Sequence, residues 1–210
     1  MRRLAAISGM LLLYPGLAFA QVMPLPGGPE VGPAIPPPAM AMPKPGAETQ
    51  RREELNRLFG ALTKAPDENA AALVQAQIQT LWSQGGTPAV GMLMRKGLRN
   101  MQENAVAEAV EDLDAAITLQ PDFAETWVLR AQALAASGDR KAAAADLREA
   151  LRLEPRHFGA LLSLSELQED AGDLTGALRS LEAALRIHPR LPGGAQKRRD
   201  LRRRALGDVT

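Results

Sequence analysis

Few side chains in this 210-residue chain are suited to bond-making chemistry. It has no cysteine, which excludes a thiolate nucleophile, a thiolate-held metal and any disulfide. Its two histidines, His157 and His188, both stand beside a proline in what read as turns. Glu154 and His157 are three apart, a spacing at which one helix face can offer a carboxylate and an imidazole to a metal. Pro155 lies between them and breaks the helix that such a pairing needs. Both histidines are therefore expected to be solvated turn residues. The sequence also holds no serine elbow and no glycine-rich phosphate loop. No catalytic, cofactor-binding or metal-binding residue is assigned, and the chain reads as a non-enzyme that needs no cofactor.

Charge is almost balanced, 25 Lys and Arg against 24 Asp and Glu, too even for a generic binder of nucleic acid. One segment departs from that balance. Lys197, Arg198, Arg199, Arg202, Arg203 and Arg204 crowd around a single internal acid, Asp200. Such a cluster could meet an anionic partner such as lipid headgroups or nucleic acid. It could equally face the acids Glu166, Glu169 and Asp170 upstream, and this second reading is preferred because exposed ion pairs require no ligand.

The elements that would carry these residues emerge from pattern. Arg2 and Arg3 precede an apolar run from Leu4 to Phe19 that ends in Ala18-Phe19-Ala20, the layout of a cleavable export signal over residues 1–20. Export to the periplasm is expected, with full secretion as the variant, and no stable membrane insertion after cleavage. Residues 21–50 form a proline-rich linker: nine prolines and four glycines between Gln21 and Gly46 deny the backbone both helix and sheet ladders. Leu55, Leu58, Phe59 and Leu62 mark one amphipathic helix. Pro66-Asp67 begins another that carries Leu73, Ile78, Leu81 and Trp82. Residues 51–86 thus read as a divergent helical hairpin that caps the remainder of the chain.

From residue 90 onward the sequence repeats. Pro121, Pro155 and Pro189 are 34 residues apart, and each closes a segment with a small–Leu–small signature: Ala109, Leu113, Ala116, then Ala143, Leu147, Ala150, then Ala177, Leu181, Ala184. Spacings of four and three put each set on one helix face. An upstream helix in each unit carries Leu93 and Gly97, Trp127 and Ala131, or Leu161 and Ser165. Asn104, Gly138 and Gly172 separate the two helices as residues that tolerate a left-handed end, and Asp139 and Asp173 are N-caps. Asp122 with Glu125 three residues on forms a capping box for the helix after Pro121.

This arrangement resembles the tetratricopeptide repeat family, built from 34-residue antiparallel helix pairs. The resemblance covers residues 90–191 as three units, 90–123, 124–157 and 158–191. It implies an all-α helical-hairpin solenoid of about three repeats, with the divergent N-terminal hairpin at one end and a basic capping helix and tail, residues 192–210, at the other. The chain departs from the family pattern at the seventh position, Lys96 and Arg130, and at the eleventh, Asn100 and Gln168, which is expected to loosen the first helix of each pair.

The resemblance further implies that these first helices line a concave face that holds an extended peptide or a partner helix. The residues assigned to that face are Met94, Arg95, Leu98 and Met101 in the first unit, Glu125, Val128 and Gln132 in the second, and Leu162, Glu166 and Glu169 in the third. Met92, Met94 and Met101 have an alternative place, packed under the N-terminal hairpin. Only Arg95 falls where chaperone-binding members grip a terminal carboxylate, so a carboxylate clamp is not expected. The partner is read as a protein or peptide and not as nucleic acid; self-association through the end helices is the alternative.

Overall fold

The computed structural model describes residues 45–206, and the expected signal segment and most of the proline-rich linker lie outside them. The described residues form helices and turns only: α1 (Pro45–Thr63), α2 (Glu68–Ser83), α3 (Pro88–Gln102), α4 (Val106–Leu119), α5 (Ala124–Ala136), α6 (Arg140–Leu153), α7 (Phe158–Asp170), α8 (Leu174–Ile187) and α9 (Gly194–Leu206). α1 begins at Pro45, inside the stretch expected to be linker up to residue 50. Proline is compatible with a first helical position, where its missing N–H would have no partner anyway, and no further proline occurs before Pro66.

The three repeat units are the antiparallel pairs α3–α4, α5–α6 and α7–α8, stacked in chain order, with α9 against α8. Their joint is the small–Leu–small face of the second helices, where Ala109, Leu113 and Ala116 and their counterparts in the next two units are all 0–1% exposed. In the first unit the fit leaves little room, since a Cβ on Gly97 would lie 2.9 Å from Leu113 Cγ. The turns within pairs end as expected, Asn104, Gly138 and Gly172 having φ of 60°, 92° and 79°. Asp139 and Asp173 accept from the amides of Ala142 and Gly176. The capping box at Asp122 does not form: the N-cap of α5 is Phe123, which makes no side-chain cap bond, and Glu125 is engaged elsewhere. Burial of the Phe123 ring among Val90, Met94 and Leu113 sets that entry.

The helices are not loosened by their polar departures. Lys96 Nζ and Asn100 Nδ2 donate to the two oxygens of buried Asp112, at 2.6 and 2.7 Å. Arg130 grips Asp146 with Nε and Nη2 at 2.7 and 2.8 Å and Asp114 with Nη1 at 2.6 Å. In the third unit Leu164 stands where the other two have a cation, and Ser180 replaces the acid and bonds Gln168 at 2.6 Å. Lys96, Asn100, Arg130 and Gln168 thus each have a polar mate on the second helix of their pair, so these departures from the pattern are satisfied within the pair.

The largest departure concerns the N-terminal hairpin, which does not cap the head of the stack. α1 and α2 share a core of Leu55, Leu58, Phe59, Leu62, Ile78 and Trp82 that is completed by Phe158, from the start of α7. The hairpin therefore lies along the turns between units. Arg156 donates to Asn56 at 2.7 Å and sits 4.3 Å over the Phe59 ring. Arg190 Nε donates to the Ala65 carbonyl at 3.3 Å. Leu73, expected in the hairpin core, is 70% exposed. α3 is left packing against α4 and α5.

Candidate functional site

Both histidines are buried, contrary to the expectation of solvated turns, because the hairpin covers them. His157, 4% exposed, stacks on Trp82 with ring centroids 4.0 Å apart and nearly parallel planes. Its Nδ1 accepts from the Ala160 amide and so caps α7, while Nε2 meets Glu125 Oε2 at 3.0 Å. His188, 1% exposed, meets Gln75 of α2 at 2.9 Å through Nε2 and presents its ring edge-on to Phe158. Burial holds its imidazole below the ordinary histidine range. These are anchors of the hairpin, and among the described residues no group of three or more His, Asp or Glu could hold a metal ion. The missed signal was the pair His157-Phe158 beside a repeat proline, large rings at a turn that would otherwise be open to water.

The residues assigned to the concave face divide by burial. Met94 and Val128 are 6% and 3% exposed, enclosed in the cores of the first and second units, and cannot anchor a ligand from the surface. No hairpin covers the methionines: Met92 is 65% exposed and Met101 half-buried. Glu125 is committed to His157, and Glu169 to Lys197 and Arg204. Arg95, Leu98, Gln132 and Glu166 are exposed and Leu162 is half-buried, so these remain accessible.

Gln132 and Glu166 come together across a cleft of about 300 Å³ between α5 and α7. Ala131, Ala135, Leu147 and Leu167 supply its apolar lining, Ser163 a hydroxyl. Arg140 and Asp170, paired at 3.5 Å, stand at its edge. Arg140 was not foreseen because it belongs to a second helix; it reaches the cleft from the first turn of α6, directly after the left-handed Gly138 and the cap Asp139. A floor of small and branched apolar side chains with a few polar groups at the rim suits an extended segment that inserts an apolar side chain and fixes its backbone by hydrogen bonds. Both acids at the cleft have a cation, Asp170 with Arg140 and Glu166 with Lys197, so its rim is close to neutral.

The basic helix is split between two tasks. Lys197 lies 3.3 Å from Glu166 and 3.7 Å from Glu169, and Arg204 also binds Glu169. Asp170 pairs with Arg140 instead. The expected meeting of the cap with the acidic third unit thus occurs through two cations. Arg198, Arg199, Arg202 and Arg203 point away, exposed.

Stacked helix pairs of 34-residue period, closed by small–Leu–small faces and bearing a cleft between successive first helices, define a helical-hairpin solenoid of the tetratricopeptide-repeat kind. Residues 128–192 match the Tetratricopeptide repeat family model. A TPR repeat-containing protein of Rhizobium etli is 31% identical over 101 residues, 48% of this chain and 50% of that protein. The chain thus matches about half the length of this curated relative. Among solved structures, the first TPR of Spaghetti (RPAP3), bound to the HSP90 peptide SRMEEVD, superposes with a TM-score of 0.54 at 17% identity, over 56% of this chain and 93% of that one. The Sgt2 TPR domain from Aspergillus fumigatus gives 0.54 at 22% identity, over 57% and 81%. The Arabidopsis OM64 TPR domain gives 0.53 at 21% identity, over 55% and 96%. At such identities these likenesses concern the fold.

Proposed function

We propose that this protein is a non-enzymatic interaction adaptor that holds a peptide or helix of a partner protein on the inner face of its solenoid, and that it does so after export to the periplasm. The observation that carries the binding reading is the α5–α7 cleft, in which Gln132 and Glu166 face each other over an apolar floor. The RPAP3 repeat domain, which shares the fold, is bound to a peptide of HSP90, and this supports a peptide as the ligand class. The contact surface proposed here is narrower than the sequence implied: Leu98, Gln132, Leu162 and Glu166, with Arg95 and Met101 at the first unit, and without Met94, Val128, Glu125 or Glu169. Export rests on the residue pattern of positions 1–20 alone.

The test is crosslinking capture from cell envelopes with the full chain and a Leu98→Glu, Gln132→Arg, Glu166→Lys variant. All three side chains are exposed, so the variant is expected to fold. Loss of specific partners in the variant is expected, and partners retained equally by both would refute inner-face recognition. Cell fractionation of the tagged chain checks the compartment; tag signal confined to the cytoplasm, with residues 1–20 retained, would refute export.

A further inference from the structure

The outward face of α9 is not needed by the fold. On a helix each residue advances about 100°, so Arg198, Arg202, Arg199 and Arg203 fall within an arc of about 140°. Ala195 and Leu206 lie inside that same arc, between the arginines. The opposite side holds Leu201, 1% exposed, and the two cations that bind Glu166 and Glu169. Arg199 has only Gln196 as partner and Arg203 only Asp200, both within the helix, and Arg198 and Arg202 have none among the described residues. Leu206, near the middle of this arc at the end of the helix, is 60% exposed.

We propose that this face is a docking surface for an anionic lipid bilayer, on which α9 lies flat with Leu206 at the acyl boundary. Four arginines without a partner outside their own helix, with one exposed leucine among them at the helix end, offer charge complementarity to an anionic headgroup layer and a single apolar contact. Guanidinium forks pair bidentately with phosphate oxygens. A nucleic acid fits less well: the helix carries no aromatic side chain to stack on an unpaired base, and for a duplex the basic face ends after one helix in a chain of nearly even charge. α9 is about 20 Å long, enough to span a few headgroups and too short and polar to cross the bilayer. The surface is separate from the α5–α7 cleft, and the proposal stands or falls without it. Together the two would let the protein sit on a membrane by its last helix while the inner face stays open to a partner.

The test is cosedimentation of the full chain with vesicles of phosphatidylcholine alone or with about one third phosphatidylglycerol. Stronger binding to the anionic vesicles than to the neutral ones is expected, the excess weakening as salt rises from about 50 to about 500 mM. Arg198→Glu with Arg202→Glu should lower the anionic partition by about 25-fold or more, at about fivefold per arginine near a charged leaflet. Arg198→Lys with Arg202→Lys should retain most of it. The apolar run of residues 4–19 is present in every arm, so it cannot account for a difference between variants. Thermal melts should be the same for all, since neither side chain has a partner to lose. Equal binding by wild type and the glutamate variant would overturn the proposal. So would a lack of preference for anionic over neutral vesicles, whether or not duplex DNA at equal phosphate concentration captures the chain.

Discussion

The clearest quantitative handle is the Arg130–Asp146 bridge within the second unit. Arg130 is 17% exposed and Asp146 7% exposed, and two parallel N–H···O bonds of 2.7 and 2.8 Å join them. The bond to Asp146, more than any other contact, raises the Arg130 guanidinium above its ordinary range. Replacing Arg130 with Met keeps most of the stem volume over Trp127, which the guanidinium covers at 4.9 Å, but strands a nearly buried carboxylate. The cost of breaking a buried pair from one side is about 3–5 kcal/mol, and the lower end applies because Arg130 is partly wet. Asp146→Leu alone leaves Arg130 with exposed Asp114 and should cost less, about 2 kcal/mol. The double variant removes both charges and should return to within about 1 kcal/mol of wild type, since hydrophobic replacement of a buried pair is near neutral. Urea unfolding followed by far-UV circular dichroism at pH 7 gives the three values and their coupling energy. The third unit, with Leu164 and Ser180 at the same two places, shows that the pair position does not require an ion pair. A double variant as destabilised as the sum of the singles would refute the view that partner matching, and not the charge itself, is what the helix pair requires.

Three further outcomes are expected from the packing. Gly97→Ala should lower the melting temperature although alanine favours helix by about 1 kcal/mol, because the new Cβ would press on Leu113 Cγ at 2.9 Å and overpacking costs about 1–3 kcal/mol; a rise would mean that the first pair has slack. Stability should fall as pH drops below about 6.5, since burial depresses the His188 imidazole in the folded chain and the unfolded chain then binds the proton first. Chemical unfolding at several pH values should show that slope in wild type and a shallower one in His188→Gln, and equal slopes would clear His188 of any part in it. The purified chain should sediment as a monomer at about 50 mM salt, because exposed Arg95 and Arg99 on α3 and the arginines of α9 would place like charge against like in head-to-tail stacking; a concentration-dependent shift at that ionic strength would restore self-association through the end helices.

Periodicity was legible because it is local. The 34-residue phase of Pro121, Pro155 and Pro189 and the buried small–Leu–small faces depend on contacts within a pair and its neighbour, and these appear where the spacing puts them. The burial of Val128 was not legible, and that of Met94 was read only as an alternative and under the wrong cover, because a residue on a first helix can face the groove or the core with only a small rotation of that helix. The rotation is set by partners such as Phe123 and Leu113, not by the residue itself. The hairpin's docking was beyond reach for a different reason. Its contacts join residues about a hundred or more positions apart, Asn56 with Arg156 and Gln75 with His188, and no period announces them. Lys96 and Arg130 looked like defects only because they were compared with a family pattern; the polar mates Asp112 and Asp146 lie 16 residues on in both units.

The position of the hairpin has a bearing on how a short solenoid presents itself. A stack of helix pairs has two ends and two long sides, and a terminal cap spends its apolar face on one end. Here α1 and α2 bury theirs against a side, over the turns at Phe158 and His188, and tie the second and third units together through residues that neither unit uses for its own core. The turns are the points at which neighbouring pairs can tilt, so Trp82 stacked on His157 and Arg156 held by Asn56 restrain that tilt without occupying the first-helix face. The cleft between α5 and α7 lies between the same two units. Its shape is therefore braced from outside, and a ligand held there as proposed would meet a surface already ordered by folding, which lowers the entropy lost on binding.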